Sequence, residues 1–153
     1  GSCASTFGDT LTRYEPGNRG MIATFGYPMG GSVTTEQSAS DGHVTGLGFG
    51  QGDISPLHTM TVSERGPFND TGDATEAYGF SNEYESGTVT TYGGQTRPAA
   101  IRRTDDSVTY IVRVDGPDGF YEFSAQTSAG EADPCPDTYD SVTRRVIESF
   151  EAV

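Results

Sequence analysis

Lysine is absent from this chain, and all nine cationic side chains are arginine. A Ser-x-x-Lys catalytic dyad is therefore excluded. Histidine is reduced to two residues, His43 and His58. They fall in different segments, with no i, i+4 pairing and no further ligands at zinc-site spacing, so no metal centre is expected. No Gly-x-Ser-x-Gly elbow occurs, which removes the usual signature of an α/β-hydrolase nucleophile. Gly48-Phe49-Gly50-Gln51-Gly52 has glycines at alternate positions but lacks a third glycine at the offset of a dinucleotide fingerprint. No apolar run approaches the ~20 residues of a membrane-spanning helix. Internal repeats and linker-like stretches are missing too, so residues 21–153 are expected to form one domain behind an irregular arm at residues 1–20.

What is present in excess is negative charge. Twenty-two carboxylates against nine arginines give a net charge of −13. Such a surface repels DNA, RNA and anionic head groups at long range, so nucleic acid is not an expected partner. The plain use of this acidity is solubility at high salt or outside the cell. Asp105-Asp106 and the two aspartates of Asp115-Gly-Pro-Asp118 are too few for the six to eight oxygens of a calcium site. Arg102-Arg103 and Arg144-Arg145 are the paired cations. They suit ion pairs within the chain, contacts to a partner's carboxylates and, for the second pair, the C-terminal half of a helix.

The two cysteines, Cys3 and Cys135, lie near opposite ends. In an exported protein an even count points to a disulfide. A bridge closing so long a loop would stabilise the fold by roughly 4–5 kcal/mol in the chain-entropy picture. A rival reading makes Cys3, followed by Ala4-Ser5, the lipid-bearing residue of a bacterial lipoprotein, with Gly1-Ser2 a cloning remnant in place of the leader. The bridge is preferred, and both readings place the protein outside the cytoplasm or in the cell envelope. Cys135 is a poor nucleophile, because Asp133 and Asp137 disfavour its thiolate.

Strand patterns dominate the chain. Met21–Tyr27 is apolar enough for a strand ended by Pro28 and Gly30-Gly31, and residues 32–38 suit a second. Val44–Phe49 alternates but carries glycines. These fit a twisted or bulged strand or, functionally, a ligand lying against bare backbone. Leu57–Ser63 alternates cleanly. Asp73-Ala74-Thr75-Glu76 has the form of a capping box, which predicts a helix to about Tyr84. Thr88–Tyr92 and Thr96–Arg102 suit two further strands. Val108–Val114 is the strongest strand, with Val108, Tyr110, Val112 and Val114 on one face. Residues 115–119 lead into its hairpin partner Phe120–Gln126, with Tyr121, Phe123 and Ala125 on one face. Asp137 is a good N-cap for a closing helix to Phe150, with Tyr139, Val142, Val146, Ile147 and Phe150 on one stripe.

The Tyr27-Pro28-Met29-Gly30 turn after the first strand, the order of elements, and the final Ile147-Glu148-Ser149-Phe150 resemble the PsbP/Mog1-like group of small α/β/α sandwich domains. That group includes many exported bacterial lipoproteins. Gly31-Ser32 stands where the group often carries a bulky aromatic. The resemblance implies an α+β fold, a mainly antiparallel sheet with helices packed on it, and a binding or assembly role at a membrane or envelope. It implies no catalytic residues, since the group shares none.

The function expected from these readings is a non-enzymatic exported binding domain for a protein partner or small ligand, with no cofactor and no metal. Contact with a membrane would run only through a lipid on Cys3. His43, His58, Arg102 and Arg103 are the candidate contact residues. Two alternatives remain: an enzyme such as a hydrolase built on His43 or His58, and a secreted structural or interaction module.

Overall fold

β-Branched and hydroxyl residues at period two carry most of the described residues into strands. The computed structural model describes residues 11–14, 21, 23–28, 32–40, 44–50, 58–69, 73–79, 81–91, 94–105, 107–116, 118–129 and 136–152. In chain order the elements are β1 (Leu11–Tyr14), β2 (Ala23–Pro28), β3 (Ser32–Ser38), β4 (Val44–Gly50) and β5 (His58–Phe68), then α1 (Ala74–Tyr78). After α1 come β6 (Glu85–Thr91), β7 (Gln95–Arg103), β8 (Ser107–Gly116), β9 (Gly119–Ala129), α2 (Pro136–Glu148) and β10 (Glu151–Ala152). A seven-stranded sheet runs β3-β4-β5-β9-β8-β7-β6, and a three-stranded sheet runs β1-β2-β10. Every pairing in both sheets is antiparallel.

This architecture corrects the expected α+β fold with helices packed on the sheet as an α/β/α sandwich. The described residues are mainly β, and the two helices among them are 5 and 13 residues long. The central helix expected to reach Tyr84 stops at Tyr78, because Gly79 follows and the chain turns back through Ser81 N–H to Tyr78 C=O and Tyr84 N–H to Ser81 C=O. Asp73 does not cap that helix with its side chain. Its carboxylate instead pairs with Arg97 Nη2 at 2.5 Å. The layer over one face of the large sheet is shared between α2 and the small sheet, because Ala23–Pro28 pairs with β1 and β10. Leu11–Tyr14, inside the segment read as irregular, is the strand β1.

The interior strand β8 presents Val108, Tyr110, Val112 and Val114 to one buried face, as its period predicts. Tyr121, Phe123 and Ala125 of β9 join them in the main core, together with Val146, Ile147 and Phe150. The β8–β9 hairpin closes on the Gly116–Gly119 pair, and its turn needs Gly119 at φ 148°, where a Cβ would lie 2.9 Å from the carbonyl oxygen of Phe68. A column of stacked rings, Tyr14–Phe25–Phe150–Phe123, has successive centroids 4.9, 5.0 and 4.5 Å apart. It ties the small sheet and the end of α2 to the large sheet.

The Ile147–Phe150 segment also closes the helix by hydrogen bonding. Thr91 Oγ1 donates toward the carbonyls of Ile147 and Phe150, at 2.8 and 3.1 Å. Ser149 Oγ donates to Val146 C=O and accepts from Gly26 N–H, both at 2.6 Å. Of the last-turn carbonyls, that of Ile147 is thereby satisfied from β6 and that of Val146 by Ser149 just past the helix. Pro98 sits in β7, which has neighbours on both sides. The β7–β8 ladder begins only at Ala99, so the missing Pro98 N–H costs no bond to β8. On the other side, Pro98 faces Thr88, whose carbonyl accepts from Arg144 Nη2 at 2.9 Å.

Candidate functional site

The opposite face of the large sheet is covered unevenly. α1 lies against β7 and β8, where Ala74, Ala100 and Ile111 make a small second core with Tyr78 and Tyr84. Among the described residues no helix or strand covers this face over β3, β4 and β5. Register aligns the side chains there into rows across the strands. One row runs Gly48, Thr61, Gln126, Thr109 and Arg102, and the next runs Gln37, Gly46, Ser63, Ser124, Ile111 and Ala100. The β4–β5–β9 part of these rows holds only glycine, hydroxyl and amide side chains.

A trough of about 230 Å³ opens there, lined by Gln37, Gly46, Gly48, Thr61 and Ser63 with the backbone of Leu47 and Val62. The glycines make its floor, and a Cβ on Gly46 would lie 3.2 Å from Gln37 Oε1, so the amide of Gln37 overhangs that floor. Neutral polar groups run on beside it: the hydroxyls of Ser63 and Ser124 bond to each other, Thr109 Oγ1 donates to Gln126 Oε1 at 3.1 Å, and Gln126 Nε2 donates to Ser128 Oγ at 3.1 Å.

One step along the strands, the face turns charged. Arg65, Glu122 and Arg113 form the next row across β5, β9 and β8. Glu122 is buried at 4% exposure although ionisable. Its Oε1 accepts from Arg113 Nε at 3.1 Å, and its Oε2 accepts from the Tyr78 hydroxyl at 2.8 Å. Arg65 Nη1 stands 3.6 Å from Oε2. The guanidinium of Arg113 lies 4.5 Å from the Phe68 ring centre and that of Arg65 5.9 Å from it, both in cation–π range. Burial, with the hydrogen bond to Glu122 and its charge, pushes the Tyr78 phenol up to about 12.

The residues singled out from sequence are not gathered here. Arg102 and Arg103 take opposite faces of β7. Arg102 Nε is 3.5 Å from Glu83 Oε2, whereas Arg103 bonds to Glu85 and, at 3.2 Å, to Asp140 of α2. Arg144 pairs with Glu148 at 2.7 Å. Arg102, Arg103 and Arg144 thus serve ion pairs within the chain. Asp118 of the hairpin accepts from the Tyr121 hydroxyl at 2.5 Å. His58 opens β5 opposite Ala129, but its side chain lies outside the described residues, as do His43, Cys3 and Cys135. The side chains of Asp137, Tyr139 and Val142 on α2 also lie outside them. Among the described residues no three His, Cys, Asp or Glu side chains converge as a metal site would require.

Sequence reading missed Glu122, because period two places it opposite the main core, and its partners Tyr78, Arg113 and Arg65 come from other elements. Glu64 is missed for another reason. It follows Met60 and Val62 on the core face, and the strand runs past the Ser63 at which its pattern ends. No protein-family model matches the chain, and no curated protein matches it. The resemblance to the PsbP/Mog1-like group therefore rests on its two short motifs and the order of elements alone.

Proposed function

We propose that the chain is a non-enzymatic binding or assembly domain of an exported, lipoprotein-type protein, and that its ligand seat is the trough over the β3–β4–β5 backbone. The trough itself carries this reading: it opens where Gly46 and Gly48 bring no side chain, and Gln37, Thr61 and Ser63 offer donors and acceptors around it. None of these groups ionises near neutral pH, so recognition there runs on hydrogen bonding and shape. The pairing of Ser63 with Ser124, rather than with an imidazole or carboxylate, supports recognition over nucleophilic chemistry. The partner is a small polar ligand or a polar segment of another protein, and no cofactor is invoked.

NMR titration with uncharged amides and sugars tests the seat. Backbone shifts should gather at Gly46, Gly48, Thr61 and Ser63, and Thr61→Arg, at an exposed position, should fill the trough and remove them. Shifts gathered elsewhere, or surviving that substitution, refute it. Export carries its own expectation, the Cys3–Cys135 bridge. The native, unreduced protein should not react with a maleimide, and two labelled thiols would refute the bridge and leave Cys3 to the lipid.

A further inference from the structure

Resting on the trough as the ligand seat, its size and its surroundings narrow what the ligand is. The trough holds about 230 Å³. That is below the roughly 300 Å³ at which sites for drug-sized ligands begin, so it seats one ring-sized unit. Past it, the neutral face continues in one direction. Thr61 on β5 is exposed, and Gln126 on β9 and Thr109 on β8 follow it in register, both partly exposed. Two strand spacings carry this row about 10 Å beyond Thr61. It ends at Arg102, which stands 3.5 Å from Glu83. The next row is closed, because past Ser63 and Ser124 come Ile111 and Ala100, buried with Ala74 of α1.

β4, β5, β9 and β8 are interior strands, each paired on both sides. Their backbone groups serve the ladders, so the groups that face a ligand are side chains. These are the hydroxyls of Thr61, Ser63 and Thr109 and the amides of Gln37 and Gln126. A hydroxyl both donates and accepts. Gln126 accepts from Thr109 and donates to Ser128, and it has a second amide N–H to give. A sugar hydroxyl has the same double capacity and rotates to suit. A peptide brings N–H and C=O groups in fixed directions, which a sheet meets at its edge rather than on its face. No ionised side chain stands in the trough, or in the row before Arg102, to meet a charged group leaving water. We propose that the trough and the row together bind a neutral glycan chain. One sugar sits in the trough against Gln37, Thr61 and Ser63, and the next sugars lie across Gln126 and Thr109.

The test is NMR titration of the whole chain with cellotetraose, maltotetraose, mannotetraose and tetra-N-acetylchitotetraose, each against its own monosaccharide. Acetyl-Ser-Gly-Ser-amide serves as the peptide counterpart. For at least one sugar the tetrasaccharide should bind about tenfold more tightly than the monosaccharide, the gain of about one further set of hydrogen bonds. Shifts should spread from Thr61 and Ser63 to Gln126 and Thr109. Gln126→Ala and, separately, Thr109→Val, which exchanges a hydroxyl for a methyl, should each remove most of that gain. The tetrasaccharide that discriminates identifies the glycan. Tetrasaccharides no tighter than their monosaccharides at the trough would overturn the row and leave the trough standing. The peptide amide binding there more tightly than every sugar would overturn the glycan and again leave the trough. Tetrasaccharide binding that survives Thr61→Arg would overturn the trough, and the row with it. No binding of any probe at millimolar concentration would overturn both.

Discussion

A carboxylate taken out of water must be met by donors, and Glu122 is met by Arg113, Tyr78 and, more distantly, Arg65. Removing it takes a charged partner from the largely buried guanidinium of Arg113 and the acceptor from the Tyr78 hydroxyl. Glu122→Ala should therefore destabilise the fold by roughly 3–5 kcal/mol in urea unfolding. The gain from the intact cluster over an apolar one of the same shape is much smaller. Tyr78 reports on the same cluster by titration. Its phenol ionises near 10.0 in the unfolded chain and at about 12 in the folded one. A raised pKa stabilises fully below the unfolded value and is lost as pH rises through the folded value. Stability should thus fall between pH 10 and 12, and Tyr78→Phe should flatten part of that fall. Among the described residues Tyr14 and Tyr110, which burial also raises, act in the same direction. The absence of lysine makes the measurement clean, since no ammonium side chain titrates in that window.

Among the elements, α2 is held by the residues at its C-terminal end as much as by its own face. Phe150 sits between Phe25 of β2 and Phe123 of β9, and its ring is 1% exposed. Phe150→Ala would open a cavity where three elements meet, and it should cost roughly 3–5 kcal/mol by urea unfolding. A loss below ~1 kcal/mol would mean that the end of α2 is not part of the core. The strands were legible because alternation marks them: Ser32–Ser38 and Val108–Val114 appear where their patterns place them. The extent of α1 was not, since the run from Asp73 to Tyr84 carries helical spacing through Gly79. Asp73 had the identity of a cap, yet its carboxylate found a stronger partner in Arg97 across the sheet.

Across the whole molecule, charge sets the conditions under which the fold holds. With −13 and no lysine, self-repulsion should be severe at low ionic strength. The Debye length falls from about 30 Å at 0.01 M to about 3 Å at 1 M salt. The urea midpoint should therefore rise with added NaCl, although ion pairs such as Arg103 with Asp140 weaken slightly under the same screening. Affinity for DNA and for anionic vesicles should stay negligible for the unlipidated chain at low salt, as measured by sedimentation with either. Binding of either would require a clustered arginine face, and Arg65, Arg97 and Arg113 on the α1 side would be the first to substitute.

Periodicity, glycine placement and charge are local properties, and they sufficed for most strands, the closing helix, the hairpin and the acidic surface. Strand order, and the layer taken by α2 and the small sheet, are set by which apolar faces meet. That depends on residues as far apart as Phe25, Phe123 and Phe150. The trough is intermediate: the glycines of β4 marked a stretch without side chains, but only the pairing of β4 with β5 sets Thr61 and Ser63 beside it. The Glu122 cluster was invisible in the sequence, because its three partners come from β5, β8 and α1 and no spacing along the chain encodes their convergence.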